Sequence, residues 1–325
     1  MIMESPEATA APDAPDPPMA WRRAFECGRL DRLDLWKRFA DRHQLIAQHA
    51  AALAGTEIAA FVLEPSGLSV TLANGLSFTL DPTALREAPN VIIAQGGYET
   101  FEKALILRLA RGARTVFDIG ANIGWHSLHI AQQEPKARVY AFEPVPTTHA
   151  RLRSNLARND AGARVTAIAD GLSDREGVFD MFVPATSGSP AASLNELHPA
   201  EGSHRTPCRF TTLDDFVRAQ GVETLDLLKC DVEGAELRVL AGGKTTLARF
   251  RPALIIELLR KWAAAFGYHP NDVIDLLGGL GYVCYGVGDH ALTPISRVTE
   301  DTRETNYLFL LPERHPPVDV LLAGL

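Results

Sequence analysis

The chain has 325 residues, 46% of them hydrophobic, and its 32 Lys+Arg against 40 Asp+Glu leave a net charge of −8. That length exceeds one small domain and supplies a sizeable core, while the acidic balance argues against nucleic acid as a partner, because such binding rests on a basic face. Cys27, Cys208, Cys230 and Cys284 show no C-x-x-C spacing, so neither a disulfide framework nor a zinc site is suggested.

Residues 1–18 are rich in Ala, Pro and acids, with no basic start and no long apolar run. They read as a disordered tail rather than a signal peptide or membrane anchor, and a cytoplasmic protein without a transmembrane segment is expected. From Trp21 to Ala54 the pattern is helical, with Leu30, Leu33, Leu35, Trp36 and Phe39 near helical spacing. Arg22, Arg23, Arg29, Arg32, Lys37, Arg38 and Arg42 crowd this segment, but Asp31, Asp34 and Asp41 are interleaved, which reads as a solvated helix face. Leu68–Leu72 and Leu76–Leu80 alternate across Asn74-Gly75, a hairpin signature. Residues 19–94 look too small for a catalytic unit and are expected to be a cap or the contact of a homo-oligomer.

Gly96-Gly97-Tyr98-Glu99 precedes an amphipathic helix, Thr100 to Leu109. Strands at 115–119, 138–142, 164–169, 225–230 and 253–257 then alternate with helices at 125–133, 147–158 and from Thr212, which implies a parallel α/β sheet. The stretch 183–206 is long and irregular, as lids and binding loops are. After a helix at 271–280, Tyr282–Tyr285 and Tyr307–Leu311 close the sheet as a strand pair. The fold class expected is α/β: a Rossmann-like, seven-stranded, mostly parallel sheet over residues 95–315, with helices on both faces, and a tail at 316–325. There is no internal repeat.

The densest information lies at Thr115–Ser127. An apolar strand climbs to Asp118 and enters a turn with glycine at both ends, Gly120-Ala121-Asn122-Ile123-Gly124. An open parallel sheet presents its first strand to a nucleoside cofactor in this way. Glu143, at the tip of the next strand, has acceptors for both ribose hydroxyls. A dinucleotide would need G-x-G-x-x-G so that backbone can approach a pyrophosphate. Here Asn122 crowds that position and Asp118 would repel phosphate. Asp118 would instead pair, directly or through water, with an ammonium group. S-adenosylmethionine (SAM) has a cationic amino-acid end and no phosphate, and is the cofactor expected. The competing reading of Asp118 is a turn cap. Gly120 and Gly124 permit close approach, Ala121, Asn122 and Ile123 line the turn, and Asp170-Gly171 follows the third strand, where the adenine edge would lie.

These segments occur in order with Ala141-Phe142-Glu143-Pro144, Leu172-Ser173-Asp174-Arg175-Glu176-Gly177, Thr212-Leu213-Asp214 and Lys229-Cys230-Asp231-Val232-Glu233-Gly234-Ala235-Glu236. Together they resemble the FkbM family of SAM-dependent methyltransferases over residues 95–312. The resemblance implies a class I methyltransferase fold and, for most members, O-methylation of a sugar or natural-product hydroxyl. Tyr98-Glu99 is similar to the family segment before the first motif, and is expected over the methionine carboxylate or the acceptor. Cys230 stands where an aliphatic residue is usual, and the region before residue 95 lies outside the family signature.

Methyl transfer to a hydroxyl requires alignment of the acceptor and removal of its proton, by a base or with a metal. Ligands sit beyond the carboxyl ends of the strands, so the carboxylates there are the candidates. Asp231 is the first choice, against the alternative that it caps the following helix. Glu233 either orients the acceptor or serves the helix dipole. Glu257 ends an apolar strand and must face something polar. Asp231 and Glu257, on neighbouring strands, suit a shared divalent cation, Mg or Mn. His126, at the start of the helix after the turn, reads as a helix-surface residue, against the alternative that it touches the site. The expected partner is a small-molecule or saccharide substrate: a sugar, glycolipid or natural product. The alternatives are a non-catalytic SAM-binding module and an NAD-dependent oxidoreductase. The acceptor pocket is expected from loop 183–206 and the N-terminal extension, neither of which carries a recognisable code.

Overall fold

A computed structural model describes residues 18–185 and 188–324, and the chain divides into two units, Met1–Ala54 and Gly55–Leu325. The described part of the first unit is two helices, α1 (Pro18–Glu26) and α2 (Arg32–Ala51), where the apolar spacing predicts one. Gly28 breaks the run at φ 69°, and Asp31 restarts it by accepting the Asp34 N–H at 2.9 Å. Trp21 is buried edge-on against Phe39. The tail expected at 1–18 falls almost wholly outside the described residues.

The larger unit opens with a small antiparallel sheet of β1 (Ile58–Glu64), β2 (Gly67–Leu72) and β3 (Ser77–Leu80), followed by α3 (Ala88–Gln95) and α4 (Thr100–Leu109). The expected hairpin is β2–β3. The strand β1 escapes a reading based on alternation because Ile-Ala-Ala-Phe-Val-Leu-Glu lacks it. This sheet belongs to the larger unit. Its edge strand donates Ser77 N–H to Asn159 Oδ1 and Thr79 N–H to Asn155 Oδ1, both at 2.8 Å, and both asparagines lie at the end of the helix described below. The unit boundary therefore falls at residue 54 rather than 94.

The central elements follow in order: β4 (Thr115–Ile119), α5 (Trp125–Gln133), β5 (Arg138–Phe142), α6 (Pro146–Arg158) and β6 (Val165–Ile168). A three-stranded insertion comes next, made of β7 (Gly171–Ser173), β8 (Gly177–Pro184) and β9 (Ser203–Thr212). The main sheet resumes through α7 (Leu213–Gln220), β10 (Leu227–Cys230), α8 (Glu236–Ala241), α9 (Lys244–Phe250), β11 (Ala253–Glu257), α10 (Arg260–Ala265) and α11 (Pro270–Gly278). It ends with β12 (Val283–Val287), β13 (Leu292–Pro294), β14 (Asn306–Leu310) and α12 (Val318–Leu322).

The main sheet has the order β13-β12-β14-β11-β10-β4-β5-β6. Strands β11, β10, β4, β5 and β6 are mutually parallel, and β14 runs antiparallel to both β11 and β12. The expected architecture is present, with eight strands rather than seven. The additional one, β13, is a three-residue edge that pairs with β12. Alternation sorts the two faces. Phe117, Ile119, Leu228, Cys230, Leu254 and Ile256 join the core with α7, α8, α9 and α11. Asp118 and Lys229, which are register partners on β4 and β10, share the other face.

Two stretches expected to lack regular elements carry some. β8 and β9 pair from Gly177↔Phe210 to Pro184↔Ser203, so the stretch 183–206 begins and ends as strand. The polar, Pro-containing sequence of β9 hides this from hydrophobic patterning. The C-terminal tail carries α12, whose Leu321 is buried and whose end meets Arg108, which donates to Ala323 O at 2.6 Å. Among the described residues, no helix is long and apolar enough to cross a membrane.

Candidate active site

The turn after β4 is shaped by three left-handed residues: Gly120 (φ 80°), Asn122 (φ 49°) and Gly124 (φ 88°). A Cβ on Gly120 would lie 1.8 Å from the Asp231 carbonyl oxygen, so glycine is what lets the ends of β4 and β10 meet. Gly120 and Ala121 donate to Phe142 O at 3.0 and 2.9 Å, which ties the turn to β5. Glu143, one residue on, accepts from Asn122 N–H at 3.1 Å and from Val145 N–H at 2.9 Å. Burial pushes its carboxyl up to about 7, against the pull of those two backbone donors. Each oxygen keeps a further lone pair for a ligand.

A cavity of about 370 Å³ opens over these groups. Gly120, Ala121, Asn122, Ile123, Glu143 and Gly171 line it on the side expected for cofactor, and Tyr98 and Glu99, just before α4, line it too. Asp231, Glu233 and Glu257 line the other side. Three expected residues lie elsewhere. Asp118 is buried beneath the turn, where it accepts from Ser127 Oγ at 2.6 Å and stands 3.8 Å from Lys229 Nζ. It anchors the turn from below rather than forming the cavity wall. Gly124 faces Leu152 of α6, whose methyl would sit 2.6 Å from an added Cβ. Asp170 forms a bidentate pair with Arg209 of β9 and lies outside the cavity, as turn-forming Asp-Gly pairs often do.

The side expected for the acceptor is crowded with charge. Asp231, Glu233 and Glu257 each offer an oxygen within 4.8 Å of the others. Lys229 Nζ reaches Asp231 Oδ2 at 3.1 Å and Gly120 O at 3.3 Å. Burial alone would drive that ammonium toward neutrality, but Asp231, Asp118 and Glu99 more than offset it and hold the proton on. One ammonium cannot balance three carboxylates. Burial together with the neighbouring Asp231 therefore raises Glu233 and Glu257 well above the carboxylate range.

Asp231 does not cap a helix, since α8 begins only at Glu236 and its N-cap is Ala235. Glu233 precedes that helix at φ 52° and does not occupy its first turn. Its carbonyl accepts from Ser193 Oγ at 2.7 Å, which ties the β8–β9 insertion to this loop. Glu236 organises the loop from within, accepting from Val232 N–H, Gly234 N–H and Tyr268 O–H at 2.9–3.1 Å.

Sequence reasoning also misjudged the burial of one residue and passed over two. His126 is buried, not on the surface, because the first seven residues of α5 are all enclosed. Its Nε2 lies 2.8 Å from Glu99 Oε2. Burial would raise Glu99, but the pairing with His126 outweighs this and lowers it to about 2. Lys229 stands inside a recognised motif, and its alternation with Asp231 along β10 was the available signal. Arg86, exposed at the cavity mouth beside Leu85, lies in a connection with no motif. Pro190, Ala192 and Leu194 from the irregular stretch also line the cavity.

Residues 118–284 match the Methyltransferase FkbM domain. The chain belongs to the FkbM methyltransferase family. It is 33% identical over 162 residues to the 2-O-methyltransferase NoeI of Sinorhizobium fredii, covering 46% of this chain and 65% of NoeI. It is 33% identical over 173 residues to the hexuronic acid methyltransferase AglP of Haloferax volcanii, covering 53% and 65% respectively. It is 31% identical over 163 residues to the 31-O-demethyl-FK506 methyltransferase FkbM of Streptomyces tacrolimicus, covering 41% and 60%. The chain thus spans under two thirds of these relatives.

Proposed function

We propose that this FkbM-family chain transfers a methyl group from SAM to a hydroxyl oxygen on a sugar, glycolipid or natural product. One observation carries the reading. A carboxylate suited to ribose (Glu143) and a carboxylate cluster suited to a hydroxyl (Asp231, Glu233, Glu257) face one cavity from opposite sides of the Gly120 turn. The names of the relatives support the acceptor class, since each denotes a methyltransferase and two specify a hydroxyl position.

The residues present fit SAM. Glu143 has free lone pairs, Asn122 Oδ1 is buried without a partner, and the cavity volume lies in the range of ligand pockets. SAM supplies an electrophilic methyl when bound. Glu143 then accepts the ribose hydroxyls, and the 120–123 turn fixes the near end of the cofactor. Asp231, held by Lys229, faces the acceptor hydroxyl, orients it and takes its proton. Glu233 and Glu257 position the acceptor alongside.

A second reading of the same cluster is favoured by the spacing of its oxygens. Asp231, Glu233 and Glu257 would hold a hard divalent cation such as Mg²⁺ or Mn²⁺, which would acidify the hydroxyl. Chelation separates the two: EDTA abolishes activity, and Mn²⁺ restores it, only if a metal is used. We also propose a cytoplasmic protein whose N-terminal extension, residues 19–94, is the contact of a homo-oligomer, the latter to be checked by light scattering.

The test of function uses methyl-tritiated SAM with methyl glycosides, methyl glucuronide and extract of the native host. Label is expected in a hydroxyl-bearing product. In a thermal-shift titration SAM should raise the melting temperature and NAD should not. Stabilisation by NAD alone would point to an oxidoreductase, and binding of SAM without transfer to any acceptor would point to a non-catalytic module.

A further inference from the structure

A second, much smaller chamber lies behind the cavity. It holds about 20 Å³, room for one water. Glu99, His126, Lys229, Asp231 and Glu257 line both spaces. Every side chain shared by the two is titratable, so the partition is made of groups that can hand on a proton. Beyond it, Glu102 and Asn306 line the chamber and are partly exposed.

The imidazole in this partition is paired at one nitrogen only. Glu99 is ionised and can only accept, so His126 Nε2 carries the hydrogen in their 2.8 Å bond. With Nε2 turned to Glu99, Nδ1 is the nitrogen left over. Nδ1 is buried and has no hydrogen-bond partner. A buried ring nitrogen left unmatched, on a residue that lines room for one water, asks for a hydrogen-bond partner.

Methylating a hydroxyl releases one proton. The acceptor O–H bond breaks as its oxygen bonds carbon, and the C–S bond breaks with its electron pair kept by sulfur. In this reading cofactor and acceptor occupy the front cavity, which leaves the partition as a second way out for the proton. We infer that the rear chamber is this exit: one water there carries the proton across the partition to His126 Nδ1, Glu99 balances the imidazolium, and the proton leaves past Glu102. The inference rests on the methyl-transfer reading. It holds whether Asp231 takes the proton first or a divalent ion acidifies the hydroxyl. Glu99 acts through His126 and is a positioning residue.

The test begins with the ligand-free full chain labelled with ¹⁵N-histidine. His126, assigned by loss of its signals in His126→Gln, should show a protonated Nε2 and an unprotonated, hydrogen-bonded Nδ1. Glu99→Gln presents an amide in place of the obligate acceptor and should abolish that tautomer preference. A proton resident on Nδ1 in the parent overturns the proposal without any acceptor in hand. The second arm measures label transfer from tritiated SAM into host extract. His126→Ala should lose about 10²-fold with unchanged SAM affinity, and added imidazoles should restore part of it in order of their basicity. If Asp231→Asn abolishes transfer while His126→Ala keeps the parent's rate, the exit is wrong and the methyl-transfer reading stands. If the parent transfers no label, the methyl-transfer reading itself fails.

Discussion

Glu143 and Glu257 each stand at the end of a parallel strand, on opposite sides of β4, and both face the same cavity. Glu143 is fixed by main chain: the N–H groups of Asn122 and Val145 hold its two oxygens. Glu257 sits instead among like charges, with Asp231 and Glu233 close by, and burial leaves it prone to keep a proton. The same residue type thus stands in two different environments. Where backbone donors surround a carboxylate it becomes a fixed acceptor, suited to recognising a ligand. Where other carboxylates surround it, it becomes a group whose charge changes, suited to handling a proton or a cation.

The sharpest way to break this comparison is Asp231→Asn. The amide keeps the shape but takes up no proton at neutral pH and carries no charge for a metal. Turnover with saturating SAM should fall by about 10²–10⁴-fold, while SAM affinity measured by calorimetry should stay close to that of the parent. Near-normal turnover, with only stability reduced, would move the chemistry away from this cluster. Glu143→Gln should do the reverse. A hydrogen bond to a charged group is worth about 1.5–3 kcal/mol, so SAM affinity should drop roughly tenfold to a hundredfold, with kcat largely kept at saturation. An unaltered SAM affinity would mean that Glu143 does not hold the ribose.

Much of this division was readable from sequence, for reasons that also explain the misses. Glu143, Asp231 and Glu257 follow apolar runs directly, and a parallel sheet puts such residues at its ligand-binding edge. The Gly120 turn was readable because left-handed backbone restricts residue choice so strongly. Asp118 belongs to the same motif, yet its side chain points beneath the turn to Ser127 and Lys229, and sequence spacing cannot distinguish above from below there. The environment of His126 depends on what covers α5, a tertiary fact. The chain division at residue 54 depends on Asn155 and Asn159 reaching β3 across some 76–82 positions of sequence, beyond any local pattern. The strands beside 183–206 were hidden because that sheet is half-exposed and polar.

Gly120→Ala tests whether the two halves share one support. An added Cβ would meet the Asp231 carbonyl at 1.8 Å, and alanine disfavours φ 80°. Chemical denaturation should show a loss of about 1–3 kcal/mol from overpacking. SAM affinity and turnover should fall together, unlike in either single-sided variant. A variant that lost one property and kept the other would show that the turn and the acceptor loop are independent.

The smallest effect concerns pH and the ligand-free protein. Burial raises Glu143 to about 7, from an ordinary glutamate value of 4.5. A group raised on folding contributes stability that is full below the unfolded value and is lost as pH rises through the folded one. Glu143 therefore makes the empty protein less stable between pH 4.5 and 7 as the pH increases. Glu236, also raised to about 7 by burial, acts in the same direction. Glu99, lowered to about 2, acts oppositely: its contribution is present above 4.5 and is lost as pH falls toward 2. His129, lowered to about 4 by burial, also costs stability on the acid side, between 6.5 and 4. A single melting curve mixes these four with other shifted groups, Glu233 and Glu257 among them, so the measurement is a difference. Melting temperatures of the parent minus those of Glu143→Gln, taken from pH 5 to 7.5, cancel the unchanged groups and leave Glu143. That difference should decline with rising pH by on the order of a few degrees. Saturating SAM should oppose the decline in the parent, because ribose hydroxyls donate to the ionised carboxylate in place of lost water. A pH-independent difference would mean that the backbone donors already hold Glu143 ionised, and that both sides of the cavity fix their carboxylates in the same way.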